Sequence, residues 1–145
     1  MKLINKKSAL QKGFTLIELL VVIGIIAILT AVVAVAVNPG RQFAQARDAQ
    51  RRADISAIVS AAYQYAADNN GNLPTDIVAT PTNIGTDGGL IDLTQELVSD
   101  YLGAIPFDPS VGTVGNTNYT IFRNGVRITA SASAEIAGAT ISVTR

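Results

Sequence analysis

The chain of 145 residues contains no cysteine, no histidine and no tryptophan. Without cysteine no disulfide framework can form, and thiolate metal sites and cysteine nucleophiles are excluded with it. Without histidine there is neither an imidazole ligand nor an imidazole base, which removes the common zinc sites and histidine-activated nucleophiles. No glycine-rich loop of P-loop or dinucleotide pattern is present either. The acids that remain stand apart in turns or in local ion-pairing patterns and compose no catalytic set. The expectation is a chain that is not an enzyme. An exported chain without covalent cross-links must be held by its core or by assembly, and a small head is only modestly stable alone.

Charge of both signs is present, but unevenly placed. Eleven basic and eleven acidic residues cancel over the whole chain. Lys2, Lys6, Lys7 and Lys12 all precede Gly13, in a stretch with no acid. From Phe14 onward seven arginines face eleven acids, a balance of about −4. The basic character belongs to a short leader, and a chain-wide nucleic-acid binder is not indicated.

Behind that leader, Phe14 to Val37 is apolar apart from Glu18 and Thr15 and Thr30. As a helix this run would measure about 36 Å, enough to cross a bilayer core of about 30 Å with some tilt. The preceding lysines favour an N-terminus in the cytoplasm with the remainder outside. Glu18 is the ionisable group of this run, and a carboxylate within such a helix costs about 2.5–3.5 kcal/mol. It calls for a partner. Three readings compete. A secretory signal peptide would use Ala34-Val35-Ala36 as its cleavage site, although the apolar stretch is longer than an ordinary signal core. A plain membrane anchor would require neither Gly13 nor Glu18. A segment processed at its head would give both a purpose. Gly24, Ala27, Ala31 and Ala34 recur at spacings of three and four, a small-residue face of the kind that lets helices approach closely in lipid, or a consequence of alanine-rich composition.

Asn38-Pro39-Gly40 predicts a break, because proline removes a helical donor and disfavours helix before it. Helical pattern resumes from about Arg41 to Asn69, with Ile55, Ile58, Val59, Ala62 and Ala66 on one stripe. Asp48 is placed to meet Arg51 and Arg52, and Arg51 to meet Asp54. Arg41, Arg47, Arg51 and Arg52 also form a possible nucleic-acid patch, but their acidic neighbours favour an ion-paired face or subunit contacts. Asn69-Asn70-Gly71-Asn72-Leu73-Pro74 ends the helix. A short helix follows, with Asp92 as N-cap and Gln95 completing a capping box, carrying Leu93, Leu97, Val98, Tyr101 and Leu102 to about Gly103. Tyr119–Arg123 and Val126–Ala130 flank Asn124-Gly125, a hairpin signal of type I′, and a third strand runs from Ala139 to Thr144. The expected fold is α+β: a long N-terminal helix, apolar then amphipathic, with a β-meander of about three strands packed on its second half. Its divisions are a leader over 1–13, an apolar helix over 14–37, an amphipathic helix over 38–69 and the rest of a soluble head over 70–145.

Gly13-Phe14-Thr15-Leu16-Ile17-Glu18, behind a basic leader and before an unbroken apolar run, resembles the processing site of type IV pilins and type II secretion pseudopilins, the class III signal peptide. The resemblance implies cleavage after Gly13 by a membrane prepilin peptidase, which then methylates the new amine of Phe14. It implies that this amine meets Glu18 of a neighbouring copy in a filament whose helices pack through a face such as Gly24, Ala27, Ala31 and Ala34. Implied partners are copies of the chain, related minor pilins, an assembly platform protein and a motor ATPase, with lipid around the helix before assembly. The implied location is the inner membrane and then an extracellular or periplasmic filament. The pilus and the secretion pseudopilus both remain open, as does a tethered binding domain that never polymerises. Asn70-Gly71 with Pro74, and Tyr101-Leu102, Ile105-Pro106 and Asp108-Pro109, also look like the head region of major pseudopilins and small pilins. Two features depart from the pattern: no proline interrupts the apolar run before Pro39, and the C-terminal disulfide of many pilins cannot form. The calcium associated with major pseudopilins points to Asp108, which has no second carboxylate nearby. Asn116, Asn118, Asp87 or Asp92 would have to complete a shell of 6–8 oxygens, and a simple turn at Asp108-Pro109 is the plainer reading.

Overall fold

A computed structural model describes residues 13–36, 38–136 and 138–145. The lysines of the leader, Val37 at the end of the apolar run and Ala137 in the last turn lie outside them. The described residues divide into two units, one up to Asn38 and the other from Pro39 to Arg145. The first contains helix α1, Leu16–Ala36. None of its residues is buried, and an 18-residue stretch of it has a mean hydropathy of 3.1, long and apolar enough to cross a membrane.

Helix α2, Pro39–Asp68, opens the second unit. The break is narrower than Asn38-Pro39-Gly40 suggested. Proline has no N–H to lose at the first position of a helix and its φ is already suitable, so Pro39 and Gly40 belong to α2, and the turn falls on Asn38 at φ 39°. At the other end, Asn70 takes φ 58° and the Gly71 N–H reaches back to the Ala66 carbonyl at 2.7 Å. That is the long bond of a Schellman stop. Between these ends, Ile55, Ile58, Val59, Ala62 and Ala66 are all buried, as their spacing predicted.

The fold is α+β, with one more strand than expected. Strands β1 (Thr82–Asn83), β2 (Thr120–Asn124), β3 (Arg127–Ser133) and β4 (Thr140–Thr144) form an antiparallel sheet in that order. Two residues are too few to show an alternating pattern, so β1 carried no signal. The β2–β3 hairpin is displaced by one residue: Asn124 pairs with Arg127, and Gly125 and Val126 make the turn. Gly125 has φ 62° while Val126 is not at positive φ, which is the type II′ arrangement with glycine first. A valine is poorly suited to positive φ, and of the two hairpin turns type I′ would require it there while type II′ does not.

One sheet face and the α2 stripe bury the core. Ile121, Ile128, Ala130, Ala132 and Ile141 meet Ile55, Ile58, Val59 and Ala62, and Tyr119, Ile77, Ile84, Ile91, Leu93 and Leu97 close its edges. The short helix α3 is only Thr94–Leu97. The expected capping box is absent: Leu93 stands at the cap with no side-chain bond, and Asp92 instead accepts from the N–H and hydroxyl of Thr94. An aspartate can satisfy a backbone donor two residues on as readily as it caps a helix. Val98 then turns extended, so Tyr101 and Leu102 pack from a loop. Ile58→Ala should lower the stability of this unit by about 2–5 kcal/mol, whereas Val126→Ala, at an exposed turn, should stay within about 0.5 kcal/mol. Thermal unfolding of the two variants beside the parent measures the difference.

Candidate functional site

The entry to α1 is built by two residues, Thr15 and Glu18. Thr15 precedes the first helical residue, and its hydroxyl accepts the Glu18 N–H at 3.3 Å. Glu18 reaches back, accepting from the Thr15 N–H at 3.1 Å and from the Thr15 hydroxyl at 2.9 Å. This is a capping box, which satisfies two donors that the first turn of a helix leaves without partners. Glu18 also lies where the positive end of the helix dipole favours an acid. Charge pattern alone leaves Glu18 without a partner in its own chain, but Thr-x-x-Glu before an apolar run is the signature of this cap, and Thr15 is that partner. Gly13 and Phe14 precede the helix and are exposed, with Phe14 91% exposed. Phe14, Glu18, Leu19 and Val22 line a shallow hollow on this end of α1. Gly24, Ala27, Ala31 and Ala34 fall on one side of the helix and none is buried. Thr30 donates its hydroxyl to the Ile26 carbonyl at 2.8 Å, so the one other polar side chain inside α1 is satisfied locally.

The second cluster lies in the head and centres on Arg51. Its side chain is 3% exposed, against 5% for Asp108. The guanidinium donates Nε to Asp108 at 2.6 Å and a terminal nitrogen to the other Asp108 oxygen at 3.1 Å, a two-point pair. It also reaches Asp48 at 2.8 Å, Glu135 at 2.9 Å and Ser110 at 3.0 Å. Arg47 clamps Glu135 from outside, at 2.6 and 2.8 Å. Asp48 accepts the backbone N–H groups of Glu135 and Ile136. Four chain segments are thereby tied together: two turns of α2, the loop after Pro106 and the β3–β4 turn.

The expected pairing of Asp48 with Arg51 is present, but Arg51 does not pair with Asp54. The i+3 position was occupied by a better offer from outside the helix: Asp108 presents two oxygens in the guanidinium plane. Asp54 instead receives the Tyr119 hydroxyl at 2.7 Å and the Gln50 amide at 2.8 Å. No bond joins Asp48 to Arg52 among the described contacts, and Arg52 stays exposed. The arginine patch is therefore partly interior, with Arg51 inside and Arg47 paired. Asp108, the calcium candidate, has both oxygens engaged by Arg51, and one of them also accepts the N–H groups of Ser110 and Val111. Asn116 and Asn118 bond to neighbouring loop groups, Asp92 to Thr94, and Asp87 stands against Gly115. Among the described residues no three acids gather as a metal set.

Charge pairing sets the acid–base behaviour of this cluster. Hydrogen bonds from Arg51 hold Asp108 below the usual carboxylate range against the opposing effect of burial. Backbone donors from Glu135 and Ile136, with Arg51, lower Asp48. Arg47, then Ser110 and Arg51, lower Glu135. Burial, and then the bond to Asp54, raises Tyr119. Carboxylates with depressed folded values contribute stability above their unfolded values near 4, and that contribution is lost as pH falls through the folded values. The head should hold its melting temperature from neutrality to about pH 5 and lose it progressively below about pH 4. Arg51→Ala leaves Asp108 buried without its cation and should cost about 3–5 kcal/mol, read by denaturant unfolding at neutral pH. The same substitution should flatten the acid limb of the melting profile.

With this geometry in place, the comparisons with known proteins bear on the N-terminal cluster alone. A family model described as the prokaryotic N-terminal methylation motif matches residues 8–34. No curated protein and no solved structure gives a significant match to the chain. The matched stretch contains Gly13, Phe14, the Thr15–Glu18 cap and most of α1. The chain thus carries, at residues 8–34, the class III signal peptide of the type IV pilin and pseudopilin family.

Proposed function

We propose that the chain is a prepilin, a structural subunit of a type IV pilus-like filament and not an enzyme. The observation that carries this reading is the construction of α1: a helix of 21 residues with nothing buried, headed by a capped acid and an accessible Gly13-Phe14 bond. A fully exposed apolar helix needs an apolar surrounding, which lipid supplies first and packed copies of the same helix supply afterwards. In this reading residues 1–13 are the leader, removed by a prepilin peptidase that methylates Phe14. Residues 14–37 form the filament core, residues 38–69, which contain α2, continue into the head, and residues 70–145 complete it. The precursor sits in the inner membrane with its leader in the cytoplasm. A platform protein, a motor ATPase and minor pilins complete the machinery.

The capping box gives Glu18 two successive partners. Before assembly Thr15 holds its carboxylate and lowers the cost of placing it near the membrane. Cleavage creates a positively charged amine on Phe14, one residue before the cap. In the filament that amine, on a neighbouring copy, replaces the Thr15 donors. A charge pair in an apolar bundle is directional and fixes register, because moving either copy along the axis strands a charge. Gly24, Ala27, Ala31 and Ala34 would form the face along which helices approach.

Mass spectrometry of the mature chain should find methylated Phe14 at its N-terminus. An intact Met1, or a terminus at Val37 after Ala34-Val35-Ala36, would sink the processing step. Glu18→Ala should still be cut but should fail to enter filaments; unchanged incorporation would remove the pairing role. A correctly processed chain that never leaves the membrane fraction would favour the tethered, non-polymerising alternative. Filaments confined to the periplasm and dependent on a type II secretion system would favour the pseudopilus.

A further inference from the structure

The sheet has two edges of different character. On one side β1 is two residues long and follows Pro81, a short edge that offers little to a partner. On the other side β4 runs Thr140-Ile141-Ser142-Val143-Thr144, β-branched or hydroxylated throughout, with no charge and no proline. Ile128 and Arg145 exchange both backbone bonds at 3.1 Å, and the Ala134 N–H donates to the Ala139 carbonyl at 2.8 Å. Antiparallel pairs alternate between bonded and non-bonded. Val143 and Ile141 therefore bond to β3, while Thr140, Ser142 and Thr144 turn their N–H and C=O groups away from the sheet. Among the described residues nothing pairs with those groups. Exposed edges of natural sheets are usually blunted by a lysine, a proline or a bulge, and β4 has none of these between Ala139 and Thr144.

The strand is also nearly palindromic about Ser142. Laid antiparallel against a second β4, Ser142 faces Ser142, Thr140 faces Thr144, and Ile141 faces Val143. Thr140, Ser142 and Thr144 are exposed on the outer face, where hydroxyl pairs are favourable across strands. Ile141 and Val143 lie on the α2 side, and their pairing would extend that apolar layer from one head to the next. The pairs in this arrangement that exchange backbone bonds are the ones formed by the three outward-facing residues. We propose that β4 is a self-association edge, and that two copies of this chain join β4 to β4, antiparallel and centred on Ser142, into one continuous sheet. The contact is isologous, the same patch on both copies. It differs in kind from a head-to-tail polymer of α1 helices and does not depend on processing at Phe14; in filaments it would join subunits of neighbouring fibres.

The absence of native cysteine makes the test direct. Single-cysteine variants of the full chain are purified in detergent micelles and exposed to a mild oxidant. Facing residues of a bonded pair lie about 5.5 Å apart at Cα, within reach of a disulfide. Ser142→Cys should give a disulfide-linked dimer as the main product. Ser131→Cys, one strand inward on the same face, would be about 14 Å from its mate and should remain monomeric. Thr140→Cys mixed with Thr144→Cys should give the mixed dimer in preference to either homodimer. A monomeric Ser142→Cys with no mixed Thr140–Thr144 product overturns the proposal, as does equal cross-linking at Ser131, which marks random collision through α1 in the micelle. Homodimers at Thr140 and Thr144 without the mixed product would mean a parallel contact and also overturn it. An unchanged melting temperature for each variant shows that the sheet is intact.

Discussion

A single buried guanidinium fixes how the head closes. Arg51 is the point at which α2, the loop after Pro106 and the β3–β4 turn meet, and each contributes an acid: Asp48, Asp108 and Glu135. The apolar stripe of α2 would pack against many sheets, because apolar contact is weakly directional. The Arg51 fork accepts few arrangements, since a charge removed from water requires its partners in place. The stripe supplies most of the stability, while the cation selects which face of the sheet and which loop lie beside it. Tyr119 and Asp54 make a second, smaller polar contact across the same core boundary.

At the other end of the chain a local bond has the corresponding role. The Thr15–Glu18 cap turns what read as an unpaired acid into a satisfied one, and so makes the first turn of α1 compatible with a membrane boundary. The two polar clusters solve opposite problems. Arg51 is made permanent by burial, whereas the cap is exposed and built only of hydrogen bonds to one hydroxyl and one amide. An exposed arrangement of that kind can be exchanged for another at modest cost.

What could be read from the sequence was whatever depends on spacing along the chain. The period of Ile55, Ile58, Val59 and Ala62 located the buried face of α2, and the Asn124-Gly125 turn signal, with the β-rich stretches around it, located β2 and β3. The Asn70-Gly71 stop was legible because left-handed backbone has strong residue preferences. Contacts between distant segments were not legible: Asp108 and Glu135 lie 57 and 84 residues from Arg51, and no local pattern ties them to it. The hairpin turn was placed one residue early because Asn-Gly suits type I′, and the register with Arg127 decided otherwise. Asp92 was read as a cap because its spacing to Gln95 fits, yet it bonds Thr94 two residues on. The Thr15 cap is a different kind of miss. Its signal, Thr-x-x-Glu, stands in the sequence, but an acid in an apolar run is equally accounted for by a partner on another chain.

The separation between Arg51 and Glu135 has a consequence in time as well as in space. Chains are made from their N-terminus, so Arg51 emerges 84 residues before the acid that completes its cluster. Over that interval Ile55, Ile58 and Val59 have no sheet to cover them, because β3 and β4 do not yet exist. Helix α2 can form early, since its bonds are local, but its core face stays open until almost the last strand is made. The most vulnerable state of this protein is therefore a nascent one: a finished helix, apolar along one side, waiting for its own C-terminus.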